Sequence, residues 1–373
     1  MPVRVLVDFL FYTGTRGGTE TYTREVVKRL PEALPGSQLI ALANRAGASG
    51  VRDFFPGDVR VARCVGADRA TWALGEVLAA NKWARRVDAD VMWSPANFGP
   101  ISRSAVPRVT TTHDTTYQLN AKQTAVTRVT SWLQAKAALT ADAVITGSAA
   151  AKADVVKHIG IDAGVITVIP HGTAAPEAPA DPWSQLIALG IQPGRPLVLS
   201  TGNRLPHKNF EALLAAVATM DEHRRPLVVL PGGRGRDALE PLIHRLRLEH
   251  DVILPGWVTP PQLEALYAVA SLYVCPSLTE GFGLPVIDAM RRGCVVLAND
   301  VPVLREVGGD VALYADARSE RDLSTAISSA LSQDPSLRRD AGIRRAGTFT
   351  WERAAAETAR VLEAAVIQRR MTA

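Results

Sequence analysis

The segment Thr201-Gly202-Asn203-Arg204-Leu205-Pro206-His207-Lys208-Asn209 gathers two permanent cations, Arg204 and Lys208, directly after the apolar run Leu197 to Ser200. Cations in a loop outside the carboxyl end of a strand stand where open α/β sheets collect ligands, and a diphosphate would suit them. The GxxxxGK[ST] spacing of a P-loop is missing, and on these residues alone a solvated basic loop is the plainer reading. A second stretch, PSLTEGFGLP at Pro276 to Pro285, follows a run ending at Cys275, and Pro285 suits the first position of a new helix. Its amides make an anion cradle, while Glu280 in the loop and Asp288 on the first turn of that helix bring two carboxylates to the same crevice. Carboxylates suit polyols because each oxygen accepts hydrogen bonds and a bidentate grip distinguishes neighbouring hydroxyls, so one would hold sugar hydroxyls and the other a ribose. The alternative is structural, with Glu280 capping the turn and Asp288 an exposed carboxylate favoured by the helix dipole.

Two earlier features join these. Gly17-Gly18-Thr19-Glu20 opens a helix whose buried face is Tyr22, Val26, Val27 and Leu30. Amides at a helix start can hold phosphate, and glycine lets a ligand approach the backbone, although a glycine pair before a helix is also an ordinary cap. His113-Asp114 ends the run Arg108 to Thr112; an imidazole there can donate to a sugar hydroxyl or a phosphate oxygen, or simply bond the backbone at a strand end. A metal role for His113 would need further ligands, and the sequence supplies no set with metal-ligand spacing.

The elements that must position these residues are short apolar runs alternating with amphipathic stretches, the pattern of parallel sheets covered by helices on both faces. A first series predicts strands at Val3 to Asp8, Gln38 to Leu42, Val59 to Ala62, Asp90 to Trp93, Arg108 to Thr112, Ala143 to Thr146 and Ile166 to Ile169, with helices such as Thr19 to Leu30 and Val126 to Leu139. Then Pro170 to Trp183, with four prolines and no periodic apolar face, reads as an interdomain linker. A second series predicts strands at Pro196 to Thr201, Pro226 to Leu230, Asp251 to Leu254, Ser271 to Cys275 and Cys294 to Leu297, and Trp351 to Ile367 reads as a terminal helix.

The length, 373 residues, fits about two domains, each with its own core. An apolar share of 47%, with 28 Gly and 24 Pro, excludes disordered and fibrous classes. Cys64, Cys275 and Cys294 fit neither a zinc knuckle nor a disulfide framework, and are read as buried thiols in a reducing compartment. A net charge of +5 does not argue for nucleic acid and suits a small anionic ligand equally well. The start, Val3-Arg4-Val5-Leu6-Val7-Asp8, puts charges inside its apolar run and reads as no signal peptide, and no stretch of about 18 apolar residues occurs. The expectation is a cytoplasmic protein, compatible with peripheral attachment to a membrane surface.

Together these residues resemble the family 4 retaining glycosyltransferases, over nearly the whole chain. The similarity is carried by PSLTEGFGLPVIDAM (Pro276 to Met290), similar to the family's E-x7-E segment; by TGNRLPHKN (Thr201 to Asn209); by ADAVITGS and ITVIPHG (Ala141 to Ser148, Ile166 to Gly172); by THD (Thr112 to Asp114); and by GGTE at Gly17. The resemblance implies an α/β fold of GT-B type, two Rossmann-like doubly wound domains facing each other across a cleft. It implies a first domain over 1–172 on the acceptor side, a linker at 173–183, a nucleotide-sugar-binding domain over 184–350, and a helix at 351–373 packing back on the first domain.

Residue by residue, the resemblance places Lys208 on the donor diphosphate, with Arg204 as its partner, Glu280 on the donor sugar, and His113 near that sugar. It places Gly17, Gly18, Asn203, Phe282, Gly283, Leu284 and Asp288 around the bound nucleotide. Two positions depart from the family pattern: Asp288 stands for the second glutamate, and Asn203 for the usual arginine, with Arg204 one place later. The implied reaction moves a hexose-type sugar from a nucleotide-sugar donor to an acceptor hydroxyl, on a glycan, a lipid-linked molecule or a small molecule, with retention. The family implies no metal, no cofactor and no protein nucleophile, with donor bound in the cleft. Two rival readings are a nucleotide-sugar epimerase on the same architecture and a non-catalytic nucleotide-binding protein.

Overall fold

The protein is described here by a computed structural model covering residues 2–14, 17–66, 68–119, 124–233 and 235–372; Ala373, the end of the expected terminal helix, lies outside them. The chain forms two compact units, Met1–Gly172 with Thr350–Ala373, and Thr173–Phe349.

The first unit is built on seven parallel strands, β1 (Arg4–Phe9), β2 (Gln38–Asn44), β3 (Asp58–Ala62), β4 (Val91–Ser94), β5 (Arg108–Thr111), β6 (Ala143–Thr146) and β7 (Ile166–Val168). Their order is β3-β2-β1-β4-β5-β6-β7. Helices lie against a sheet of this kind on both faces, so its central strands are buried on both sides rather than alternating, and every residue of β4 and β5 is buried, including Arg108, Thr110 and Thr111. Leu6, Ile40, Leu42 and Met92 meet Ala80 and Ala84 in one core cluster, and Val144, Val155 and Ile166 anchor another. The helix Gly18–Ala33 buries Tyr22, Val26, Val27 and Leu30, as its spacing predicts. The helix Trp351–Thr372 packs along it, with Trp351 6.3 Å from the Tyr22 ring and Glu352 paired to Arg29 at 2.7 Å. Gly172 permits that packing, because a Cβ there would lie 2.2 Å from the Trp351 amide nitrogen.

The second unit repeats the plan with β8 (Leu197–Leu199), β9 (Leu227–Val229), β10 (Val252–Ile253), β11 (Leu272–Cys275), β12 (Val296–Asn299) and β13 (Leu313–Ala315), in the order β10-β9-β8-β11-β12-β13. Its core joins Val198, Val228, Leu272, Val274 and Leu297 to Leu213, Leu214 and Val217 of the helix Phe210–Ala218. In both sheets the strand order reverses once, between β1 and β4 in the first and between β8 and β11 in the second. That reversal leaves a crevice outside the carboxyl ends of the two strands.

Four expectations are corrected. Strand β13 was not anticipated: it has three half-buried residues, too few for a periodicity to register. The expected linker 173–183 belongs to the second unit, and a helix begins at Pro182 because Asp181 accepts from the Trp183 and Ser184 amides. The helix after Gly283 begins at Leu284, so Pro285 is its second residue and Asp288 lies beyond its first turn. Cys64 is exposed, in the turn after β3, whereas burial pushes the Cys275 thiol to about 11 and Cys294 to about 12.

Candidate functional site

In the second unit the loops after β8 and β11 are stitched together by backbone. The Leu278 amide donates to the His207 carbonyl at 2.8 Å, and Asn209, held at φ 55°, donates from Nδ2 to the carbonyls of Pro276 and Ala317 at 3.2 and 3.0 Å. This turns Lys208 toward the β11 loop, where its Nζ lies 2.6 Å from Glu280 Oε1. The two side chains are only 14% and 11% exposed, so water screens this pair weakly. Burial would raise the Glu280 carboxyl, but the Lys208 ammonium and hydrogen bonds from Lys208 and Ser277 outweigh it and hold Glu280 below the usual carboxylate range. The crevice therefore presents a fixed cation and a fixed anion side by side.

Arg204 sits differently. Its Nε donates to both oxygens of Asp237 at 3.0 and 2.9 Å, its other nitrogens reach the Leu230 and Gly202 carbonyls, and it lies 5.2 Å over the Phe210 ring. The guanidinium expected at a diphosphate is thus engaged with the fold, and Asp237, its partner, carries no motif that sequence reasoning could have singled out. Asn203 beside it is exposed.

Gly283 caps the helix Leu284–Arg291 at φ 96°, a conformation side chains rarely adopt, and a Cβ there would also meet Leu304 at 3.0 Å. Phe282 is buried against Phe349 with ring centroids 5.7 Å apart, and Leu284 is half-buried. Asp288 accepts from Thr173 Oγ1 at 2.5 Å and lies 3.6 Å from Arg292, which grips Glu264 with two nitrogens. Burial raises the Asp288 carboxyl despite those partners. Asp288 is therefore a bonded carboxylate rather than a freely exposed one.

In the first unit His113 follows β5 and is buried, 4.9 Å edge-on to Tyr22 and 5.4 Å from His171, a residue of the IPHG motif to which the sequence assigned no role. Its backbone amide donates to Asn97 Oδ1, and Asn97 itself sits at φ 64° after β4. His113 Nε2 lies 2.7 Å from the Pro95 carbonyl, which can only accept, so Nε2 carries the proton. Burial lowers the His113 pKa, and burial with the nearby His113 lowers that of His171 well below the usual value. The expectation that His113 donates to a sugar hydroxyl or phosphate is corrected accordingly: a neutral ring whose one N–H is taken by backbone offers only Nδ1, an acceptor for a hydroxyl. Tyr22 stands one turn along the helix that starts at Gly18, which brings the helix start near His113. Gly17 has extended backbone at φ −83°, no side-chain cap, and open space where a Cβ would be, so the fold alone does not impose glycine there. Among the described residues, no three His, Cys, Asp or Glu side chains gather as a metal site.

Residues 16–174 match the family described as Glycosyltransferase Family 4, and residues 183–345 match Glycosyl transferases group 1. The O-antigen chain mannosyltransferase B of Escherichia coli is 37% identical over 167 residues, 43% of this chain and 44% of that protein. The D-inositol 3-phosphate glycosyltransferase of Nocardia farcinica is 30% identical over 226 residues, 57% of this chain and 50% of its own. The matches thus span half or less of these relatives' lengths. Among solved structures, the sucrose-phosphate synthase of Thermosynechococcus elongatus superposes with a TM-score of 0.76 at 20% identity, covering 100% of this chain and 99% of the other. Anabaena HepE in complex with UDP superposes with a TM-score of 0.73 at 18% identity, covering 98% of this chain and 100% of the other. The α/β fold is therefore that of GT-B proteins.

Proposed function

We infer from the family to which this chain belongs, the group 1 glycosyltransferases of family 4 type, that it moves a hexose-type sugar from a nucleotide-sugar donor to an acceptor hydroxyl with retention at the anomeric carbon. The observation that carries the reading furthest is the Lys208–Glu280 pair at the reversal of the second sheet. Cleaving a glycosyl-phosphate bond leaves negative charge on the diphosphate and oxocarbenium character on the sugar. In this reading Lys208 and the amides at Gly283 and Leu284 meet the diphosphate, while Glu280 accepts hydrogen bonds from the sugar hydroxyls. Arg204, through Asp237, keeps the loop that presents Lys208 in place. Asp288 receives a ribose hydroxyl beside Thr173, and His113 Nδ1 accepts from a hydroxyl. The leaving phosphate takes the acceptor's proton on the same face of the sugar, so no protein nucleophile is required. No resident metal or cofactor enters this mechanism, and the nucleotide sugar is a substrate. We place the reaction in the cytoplasm.

The test is nucleoside diphosphate release across a panel of nucleotide sugars, with and without acceptor hydroxyls, followed by the anomeric coupling constant of the product. Acceptor-dependent release and an unchanged anomeric configuration are expected. Conversion of the donor sugar without acceptor would replace the reading with an epimerase. Saturable binding without turnover of any donor would leave a nucleotide-binding protein.

A further inference from the structure

The loop that follows β4, Pro95 to Gly99, holds His113 at two points. Its Asn97 is 8% exposed and sits at φ 64°, a left-handed backbone that asparagine tolerates better than most side chains. That conformation lets Asn97 bond twice along the end of β5: its amide donates to the Thr111 carbonyl at 2.9 Å, and its Oδ1 accepts from the His113 amide. Two residues earlier, the Pro95 carbonyl accepts from His113 Nε2 at 2.7 Å. The backbone and the ring of one histidine are therefore fixed by a single short loop.

The loop is itself anchored. Phe98 meets Trp72, of the helix Arg69–Leu78, edge to face at 4.7 Å, and a Cβ on Gly99 would lie 2.8 Å from Ser94 Oγ, so the chain turns back tightly over β4. The titratable groups that face His113 among the described residues are Tyr22 of the helix Gly18–Ala33 at 4.9 Å, His171 after β7 at 5.4 Å, and its neighbour Asp114. Burial lowers the His113 pKa, and the Pro95 bond and the Asp114 charge oppose it. Asn97 adds a neutral acceptor to this setting and no charge. The second unit uses the same device beside Lys208, where Asn209 at φ 55° bonds two carbonyls.

We propose that Asn97 is a positioning residue for His113: it sets the loop so that the Pro95 carbonyl engages Nε2–H and Nδ1 is left to accept from a substrate hydroxyl. The inference rests on the sugar-transfer reading, and its first test needs no turnover. Long-range 1H–15N correlation spectra of the 15N-labelled full chain, with the His113 signals identified by their loss in His113→Ala, should show one ring nitrogen protonated and the other bare. Asn97→Gly accepts the backbone angle but has no Oδ1, and should average the two signals toward a tautomer mixture. Asn97→Asp keeps both the angle and the acceptor and should retain the single tautomer, while its carboxylate raises the His113 pKa.

Turnover is then read with the fastest donor and acceptor of the nucleotide-sugar panel. Asn97→Gly should lower kcat on the order of ten- to a hundredfold with the donor KM nearly unchanged. Asn97→Asp should recover kcat at alkaline pH, with the acid limb of its pH profile displaced upward by about half a unit or more. A mixed tautomer in the wild type, or a His113 signature unchanged in Asn97→Gly, would overturn the proposal. So would an undiminished loss of turnover when Asn97→Gly is added to His113→Ala, because Asn97 would then act elsewhere. Circular dichroism monitors the fold; if Asn97→Gly unfolds, Asn97→Asp decides alone, and an acid limb that does not move overturns the proposal. A tautomer effect in a chain that turns over no donor sinks sugar transfer and leaves the hold on His113 standing.

Discussion

The two crevices arise from the same topological event, a reversal of strand order in a parallel sheet, yet they are finished with opposite chemistry. In the second unit the loop after β8 is held by ion pairs on two sides, Lys208 with Glu280 of the loop after β11 and Arg204 with Asp237 of the loop after β9. In the first unit the corresponding position is walled by Trp72, Phe98 and Leu133 over a carboxyl that burial favours in its neutral form. The sheet reversal supplies a place to bind, and the loop residues decide what binds. The ionic crevice is suited to a leaving group that gains charge.

That contrast breaks most readily at its most buried ion pair. Asp237→Ala leaves Arg204 buried without its counter-ion and should destabilise the second unit by about 3–5 kcal/mol; a denaturant midpoint that stays within error of wild type would show the pair to be dispensable. Lys208→Ala removes the cation aimed at the leaving diphosphate, worth ~3 kcal/mol, and should lower turnover roughly a hundredfold while the fold persists. Turnover within about threefold of wild type would take Lys208 out of the chemistry, since that is only ~0.6 kcal/mol. Asp288→Ala should weaken donor binding by about 1–3 kcal/mol for a ribonucleotide and less for its 2'-deoxy counterpart, whereas Asp288→Glu should preserve it. Identical losses for both nucleotides would assign Asp288 to holding Thr173 only.

The smallest effect sharpens the apolar side. Glu76 has a raised pKa in the folded chain, so its contribution to stability is complete below the unfolded value near 4.5 and is lost as pH rises toward the folded one. Glu76→Gln, which mimics the neutral acid, should therefore be no less stable than wild type at neutral pH and should flatten the pH dependence of the melting temperature above 4.5. A wild-type curve that rises over that window would contradict the raised value.

Much of this was legible because its signals are local. Strands β1 to β12 follow apolar runs, and Lys208, Glu280 and Gly283 sit in contiguous loops whose residue types match one chemistry. What escaped depends on groups far apart in sequence. Asp237 looks like any loop aspartate until Arg204 folds onto it from 33 residues away. His171, Asn97 and Glu76 acquire their roles only through burial and neighbours on other strands. The choice between a donor role and a backbone bond for His113 was hidden for the same reason, because the Pro95 carbonyl that accepts its N–H hydrogen bond lies 18 residues away and no spacing rule connects them.

The seam between the units has a consequence for synthesis. The chain leaves the first unit after Gly172 and re-enters it at Thr350, and the Thr173 amide bonds the Phe349 carbonyl at 3.2 Å, so the second unit is an insertion whose two ends are tied. On the ribosome, β1 to β7 emerge early, but the helix Trp351–Thr372 that covers Tyr22 and pairs with Arg29 arrives only after the whole second unit has been translated. At ribosomal rates that interval is on the order of ten to thirty seconds. Throughout it the nascent first sheet keeps one flank bare, and the second unit, complete in sequence before its host, is the first of the two able to finish folding.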